Sequence, residues 1–259
     1  MIRLSVDIEL TYTPIEDRKT SFVNIIDGLD RIKIKLEKIL PEAAITLKEK
    51  TLKLQITTVK AQIKIEVNQI NRGVMDEIVK LPLCETAQEE FDVFCAVPIV
   101  PLGQLYGGKI CAALDRQHPR DLFDVKYLLQ NEGFTDEIKK GFILFLLSSN
   151  RPLHEMLHPN FIDQRETLVN QFEGMSPETF TYEDFKKSRK ELVNVIHQNL
   201  TDTDREFILN FGKGTPDWSI YNFERFPAVQ WKLRNLTKLK NNNPSKYDDL
   251  VSDLKSVLY

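Results

Sequence analysis

Residues 4–11, Leu-Ser-Val-Asp-Ile-Glu-Leu-Thr, alternate between apolar and polar side chains. A β-strand sends successive side chains to opposite faces, so the aliphatic residues of this stretch fall on one face. Asp7 and Glu9 then lie together on the other face. The alternation therefore predicts a β-strand that presents two carboxylates within one small patch.

The same alternation recurs in short runs, rich in Ile, Val and Leu, through the first hundred residues. It predicts strands at residues 52–58 and 63–67 and a shorter one at residues 94–99. Between the first two strands, residues 17–40 carry apolar side chains at helical spacing behind an acidic start. This pattern predicts one long amphipathic helix, and together these elements indicate a small α+β domain.

Beyond Pro101 the hydrophobic pattern becomes helical. It predicts helices at residues 102–114 and 120–129, and about five more before the C-terminus. We therefore predict an α+β domain at residues 1–130 followed by an all-α helical bundle domain at residues 131–259.

The composition indicates an ordinary globular protein and excludes several other classes. The chain has 259 residues, a net charge of −3 and 42% hydrophobic residues, and no apolar run approaches the roughly 20 residues that cross a bilayer. Acids near the start argue against a secretory signal, so we expect a cytoplasmic protein that does not bind membranes. The three cysteines lack metal-binding or disulfide spacing and are expected to be core thiols.

A third carboxylate becomes available in the strand at residues 63–67, Ile-Lys-Ile-Glu-Val. Alternation places Lys64 and Glu66 on the face opposite the three aliphatic residues. Three carboxylates on one sheet face repel each other unless a cation lies between them, and Mg²⁺ prefers such oxygen ligands. Two-metal phosphoryl-transfer sites use acid clusters of this kind. The alternative interpretation is a solvated sheet face that carries ordinary charges.

A second group of charged residues surrounds the helix predicted at residues 102–114. Lys109 and Arg116 fall at helical spacing on an otherwise apolar stripe, where a cation needs a partner. A phosphate is one possible partner, and Asp121 or Asp124 at the start of the next helix is another. In the structural alternative, Asp121 complements the helix N-terminus, and Arg116 or Arg120 pairs with Asp124.

Taken in order, RLSVDIEL (3–10), IKIEVN (63–68) and GGKICAALDRQHPRDLFDVKYLL (107–129) resemble the AbiEii-type abortive-infection nucleotidyltransferases, toxins of bacterial toxin–antitoxin systems. The resemblance covers residues 3–129. It implies a polymerase-β-like nucleotidyltransferase domain, in which a central mixed sheet carries the acids and helices pack behind it. The implied activity is transfer of a nucleotide from an NTP to an acceptor, in some members the 3′ end of tRNA.

The resemblance also assigns roles to single residues. Asp7 and Glu9 match the paired metal-binding acids and Glu66 matches the third acid, so these three are the expected Mg²⁺ ligands. Lys109 matches the phosphate-contacting lysine. Arg116 is not part of this match, but it lies on the same predicted helical stripe, and Lys109 and Arg116 together are the expected nucleotide-binding residues. The expected catalytic residues are Asp7, Glu9, Glu66, Lys109, Asp121 and Asp124. The expected partners are an NTP, tRNA or another RNA, and a cognate antitoxin protein.

Two features depart from the family pattern. The family usually has Asp where this chain has Glu9, whose longer side chain still binds Mg²⁺ but shifts its position. The family also has a Gly-Gly-Ser/Thr turn before the paired acids, and only Met1 and Ile2 precede Arg3 here. We therefore expect either a start codon inside the gene or a protein without much of its nucleotide anchor, with weak NTP binding and low activity. In the family's fold, the helix that this turn opens covers part of the sheet. Without that helix, we expect the apolar sheet face to be covered by a second copy of the chain, giving a homodimer, or by a helix of the C-terminal domain.

Residues 225–247 contain six basic residues and no acid, with Phe226 and Trp231 interleaved. This composition makes the segment a candidate for contacting RNA, although a solvated amphipathic helix gives the same pattern. Two functions remain open from the sequence. One is an Mg²⁺-dependent nucleotidyltransferase toxin. The other is a catalytically impaired remnant that binds RNA or a protein partner.

Overall fold

The computed structural model describes residues 7–259. These residues form two compact units, one of residues 7–74 and one of residues 75–259. The first three residues of the strand predicted at residues 4–11 lie outside the described part of the chain. The remainder of that strand is present as the first element of the first unit.

The first unit is a four-stranded sheet with one helix packed on it. Its elements are β1 (Asp7–Leu10), α1 (Arg18–Ile39), β2 (Ala44–Lys48), β3 (Lys53–Thr57) and β4 (Gln62–Val67). The strand order is β1-β4-β3-β2, in which β1 runs parallel to β4 and the other neighbours are antiparallel. The mixed sheet that the family resemblance implied is therefore present.

Helix α1 begins at the predicted place because Asp17 caps it. The Asp17 carboxylate accepts hydrogen bonds from the backbone N–H groups of Lys19 and Thr20, at 2.9 and 3.1 Å. Ile25 and Leu29 lie in one buried cluster with aliphatic side chains of β3 and β4. Since α1 covers this apolar face, the other face of the sheet is left to polar and charged side chains.

The second unit combines a two-stranded antiparallel sheet with many helices. Its elements are β5 (Val79–Pro82), α2 (Glu85–Phe91), β6 (Ala96–Ile99), α3 (Leu102–Arg116), α4 (Pro119–Asn131), α5 (Asp136–Ser148), α6 (Leu153–Leu157), α7 (Arg165–Gln171), α8 (Tyr182–Asn199), α9 (Asp202–Gly212), α10 (Pro227–Asn242) and α11 (Pro244–Leu258). One large buried cluster, mainly of aliphatic and phenylalanine side chains, joins most of these helices.

The compact units do not divide the chain at residue 130, where we predicted a domain boundary. Helices α3 and α4 belong to the same unit as the later helices. The physical reason is that α3 packs closely on α5, and Ile110, Phe142 and Leu146 share one buried cluster. A functional division at residue 130 stays a prediction.

The close approach of α3 and α5 depends on glycine. A Cβ atom added at Gly107 would lie 2.5 Å from the backbone nitrogen of Phe142, and one added at Gly141 would overlap the Gly103 carbonyl group. At Gly108 an added Cβ would meet only the ring of Phe145, at 3.2 Å. The first glycine of the Gly107-Gly108 pair therefore allows the two helix backbones to touch.

Residues 76–99, which we call the exposed hairpin, bury almost nothing. They comprise β5, α2 and β6, and no residue from 76 to 98 is buried. The large apolar side chains exposed here are Ile78, Val79, Leu81, Phe91, Val93, Phe94 and Val97. In the strand register, Pro98 is paired with Lys80, and Pro82 with Ala96.

The three cysteines differ in burial, although the composition led us to expect core thiols at all three positions. All three cysteines are free thiols, but Cys84 is exposed and Cys95 half-buried, so the prediction of core thiols is wrong for Cys84. Cys84 lies in the exposed hairpin, which has no core to enter. Cys111 is buried in α3, and burial raises the pKa of its thiol. Within residues 7–259 no helix has the length and apolar character to span a bilayer.

Candidate functional site

Asp7, Glu9 and Glu66 lie on the same face of the sheet in the first unit. Strands β1 and β4 are parallel, and their register pairs Glu9 with Glu66 and Asp7 with Lys64. Directly paired residues on neighbouring strands point to the same face, about 4.8 Å apart along the hydrogen-bonding direction. The pairing therefore gathers the three carboxylates on the face opposite α1.

Two lysines on this face pair with two of the carboxylates. The Lys53 Nζ atom lies 2.7 Å from Oε1 of Glu66, and the Lys64 Nζ atom lies 3.5 Å from Oδ1 of Asp7. In the part of the chain that the structure describes, no three His, Cys, Asp or Glu side chains are grouped as metal ligands. The side chains thus form an ion-paired surface, which we call the acidic face.

The donor set of the acidic face fits a hard divalent cation in its chemistry. Its carboxylate oxygens are the ligand type that Mg²⁺ prefers, and the two lysines show that the face attracts positive charge. In their present positions the ammonium groups of Lys53 and Lys64 compete with a metal ion for Glu66 and Asp7. Metal binding therefore requires these two lysine side chains to move aside.

In the second unit, Lys109 of α3 pairs with Asp124 of α4. The Nζ atom of Lys109 donates a hydrogen bond of 2.8 Å to Oδ2 of Asp124. The Asp124 side chain is 17% exposed and the Lys109 side chain 40% exposed. The carboxylate is thus largely enclosed, while the lysine side chain stays open to a ligand.

Arg116 and Asp121 form a second pair between the same two helices. The Arg116 guanidinium donates two hydrogen bonds to the carboxylate, at 2.5 and 2.8 Å. Asp121 lies in the first turn of α4, where the helix dipole also favours negative charge, and its side chain is only 11% exposed. Both cations of the predicted stripe therefore have an aspartate partner on α4.

A buried network that we did not predict supports the turn between α3 and α4. Gln117 has a positive φ of 48°, and its side chain donates to the carbonyl of Asn160 and accepts from Nη1 of Arg189 at 2.9 Å. The Arg189 guanidinium lies over the ring of Phe161, 4.1 Å from its centroid, and burial lowers the pKa of Arg189. This network fixes the end of α3 next to Arg116.

Removing the Lys109 charge is expected to change stability little. Because the side chain is partly exposed, Lys109→Met should lower the free energy of unfolding by at most about 1 kcal/mol. Urea denaturation of the variant and of wild type measures this difference. A loss above about 3 kcal/mol would show that the pair is a structural element rather than a ligand-binding one.

The comparison with protein-family models identifies a family for this chain. The family described as "Nucleotidyl transferase AbiEii toxin, Type IV TA system" matches residues 1–235. Since the match covers most of the chain, the protein belongs to the AbiEii nucleotidyl transferase toxin family. The match extends well past residue 129, where the predicted resemblance ended, and includes α5 to α9. The comparisons with curated proteins and with solved structures found no match.

Proposed function

We propose that this chain is a metal-dependent nucleotidyltransferase and the toxin of a toxin–antitoxin pair. The observation that carries the proposal is the register of β1 and β4, which gathers Asp7, Glu9 and Glu66 on one sheet face. In a chain of the AbiEii family, three carboxylates on one face are the expected ligands of a catalytic divalent metal.

Each charged group has a role in this proposal. Asp7, Glu9 and Glu66 would hold Mg²⁺, which would supply positive charge to neutralise the phosphates of an NTP. Lys109 contacts a phosphate oxygen, and Asp124 holds its ammonium group in position through the 2.8 Å hydrogen bond. The rest of catalysis is positioning and electrostatics.

Arg116 offers a second cation for the phosphates. Its guanidinium is held in a fixed plane by the two hydrogen bonds to Asp121, and the side chain is more than half exposed. Asp121 is therefore a positioning residue for Arg116. The acceptor in this proposal is an RNA, with the 3′ end of tRNA as the first candidate, and the protein partner is a cognate antitoxin.

The test is nucleotide transfer by the purified full chain. The protein is incubated with each of the four α-labelled NTPs and total tRNA, with Mg²⁺ or with EDTA. The expected result is label on tRNA with at least one NTP in Mg²⁺ and none in EDTA. Absence of label on tRNA and on total RNA, with both Mg²⁺ and Mn²⁺, would contradict the proposal.

Mg²⁺ is expected to stabilise the first unit through the acidic face. Ligand at 100 times its Kd adds about 2.7 kcal/mol to the free energy of unfolding, so the melting temperature should rise by several degrees. Asp7→Asn should abolish this rise and leave the metal-free protein nearly unchanged, because the ion pair with Lys64 is long and partly exposed. If the variant gains as much from Mg²⁺ as wild type, the ion binds elsewhere.

The alternative is a non-catalytic module that binds RNA or protein. The ion pairs of Lys53 with Glu66 and of Lys64 with Asp7 favour it, because they neutralise two of the acids without any metal. Calorimetric titration with each Mg-NTP separates the two functions. Binding of an NTP is required of the enzyme, whereas the module needs none.

A further inference from the structure

One side of α10 carries a half-exposed tryptophan beside two cations. Trp231, Arg234 and Lys238 follow each other at intervals of three and four residues, so they lie on one face of the helix. All three are exposed, and Trp231 is 49% exposed. We call these three residues the α10 face.

The charges of the α10 face are not compensated by acids. Helix α10 contains no Asp or Glu. Within residues 7–259, no carboxylate lies within 4.0 Å of the charged groups of Arg234 or Lys238. The chain as a whole has a net charge of −3, so this local excess of positive charge is distinct from the rest of its composition.

Two of the six basic residues noted in the sequence serve structure instead. Lys232 is buried, and its Nζ atom donates to the carbonyl oxygens of Ser149, at 2.6 Å, and of Arg151. Burial lowers its pKa to about 8. Arg225 donates to the carbonyl oxygen of Met75 at 2.9 Å. Fewer of the six basic residues are therefore available to a partner than the sequence predicted.

A groove opens beside the tryptophan, between α6, α10 and α11. Its volume is about 180 Å³, and its lining is mostly apolar, with Trp231, Asn150 and Asn235 among the lining residues. The half-exposed indole offers a face for stacking, and Asn150 and Asn235 are among the few polar residues of the groove beside it. A nucleobase has both an aromatic face and a polar edge.

We propose that the α10 face binds a single-stranded segment of RNA. A base stacks on Trp231, and the neighbouring phosphates pair with Arg234 and Lys238. A segment made only of acidic residues would satisfy the two cations but would leave the exposed indole without an aromatic face to stack on. The inference rests on the proposed function only in taking RNA as the acceptor, since RNA binding is measured without an NTP.

The experiment measures binding of a fluorescein-labelled, single-stranded 12-nucleotide RNA of mixed sequence to the full chain. Fluorescence anisotropy is recorded without NTP at several salt concentrations. Trp231→Ala is expected to weaken binding about 5-fold to 150-fold without changing the salt dependence, because stacking releases no counterions. The double variant Arg234→Ala/Lys238→Ala should make the slope of log K against log salt shallower by about 1.4, which is two contacts at 0.7 each.

Lys190→Ala is the matched control. Lys190 is an exposed lysine of α8, outside α10 and outside the lining of the groove. This variant loses one positive charge, whereas Trp231→Ala loses none and the double variant loses two, and it should bind RNA as wild type does. Thermal unfolding of every variant confirms that α10 remains folded.

The possible results decide the proposal separately from the enzyme function. If wild type does not bind the RNA, or if both α10 variants bind it as tightly as wild type, the proposal is overturned. If polyglutamate binds in a way that depends on Arg234 and Lys238 while the RNA does not, the face serves an acidic protein, and the proposal is overturned as well. RNA binding that depends on Trp231, without nucleotide transfer, supports this surface and counts against the proposed enzyme.

Discussion

Replacing Gly107 by alanine should lower the free energy of unfolding of the second unit by about 3 kcal/mol. The new Cβ atom would lie 2.5 Å from the backbone nitrogen of Phe142, and backbone cannot turn aside as a flexible side chain can. Helices α3 and α5 would have to separate. Their separation would loosen the buried cluster that contains Ile110 and Phe142.

Gly108→Ala is the control, because it makes the same chemical change one residue further along the same helix. Its Cβ atom would meet only the ring of Phe145, which can shift by a few tenths of an ångström. Alanine also has a helix propensity about 1 kcal/mol more favourable than glycine. We expect a net change within about 1 kcal/mol in urea denaturation. Equal losses in the two variants would show that glycine packing does not set the distance between α3 and α5.

Asp7→Asn should reduce nucleotide transfer at least about 100-fold while the protein stays folded. Asparagine keeps the size of the side chain and removes the charge that a divalent metal requires. Loss of one group that stabilises developing charge commonly costs 100-fold to 1000-fold in rate. The initial rate of label transfer to tRNA measures the effect, and Glu66→Gln should behave in the same way.

The control for these two changes is Glu49→Gln. Glu49 is an exposed acid of the first unit that lies outside the sheet, so its loss changes the net charge equally. Its activity should match that of wild type. Transfer by Asp7→Asn at the wild-type rate would mean that Asp7 is not a ligand of the catalytic metal, and that the transfer site lies away from the acidic face.

Local patterns were enough to predict several elements of the fold. Helix α1 and strands β3 and β4 carry their own periodicity, and Asp17 marks the start of the helix. Strand β2 was not predicted, because its five residues include only two large aliphatic side chains. Strand β5 and helix α2 were missed for another reason. They lie in the exposed hairpin, where no buried face imposes a hydrophobic pattern.

For the candidate site too, local sequence patterns predict only part of the arrangement. Alternation within β1 and β4 predicts which side chains share a face, and the structure places Asp7, Glu9 and Glu66 accordingly. Alternation within one strand cannot predict which residue of another strand lies opposite. For this reason we did not predict that Lys53 is the partner of Glu66. The contact between Gln117 and Arg189 joins residues 72 positions apart. No local signal distinguishes Arg189 from an ordinary surface arginine of an amphipathic helix.

The two prolines of the exposed hairpin limit what this surface can do. The Leu83 N–H group donates to the Cys95 carbonyl at 2.9 Å, and the antiparallel alternation then turns the nitrogens of Pro82 and Pro98 toward the free edges. Proline has no N–H to offer, so a further strand cannot form a continuous hydrogen-bond ladder on either edge. Strand pairing at these edges is therefore blocked at the two prolines, although valine, leucine and phenylalanine side chains are exposed here. A partner of this hairpin has to recognise its side chains.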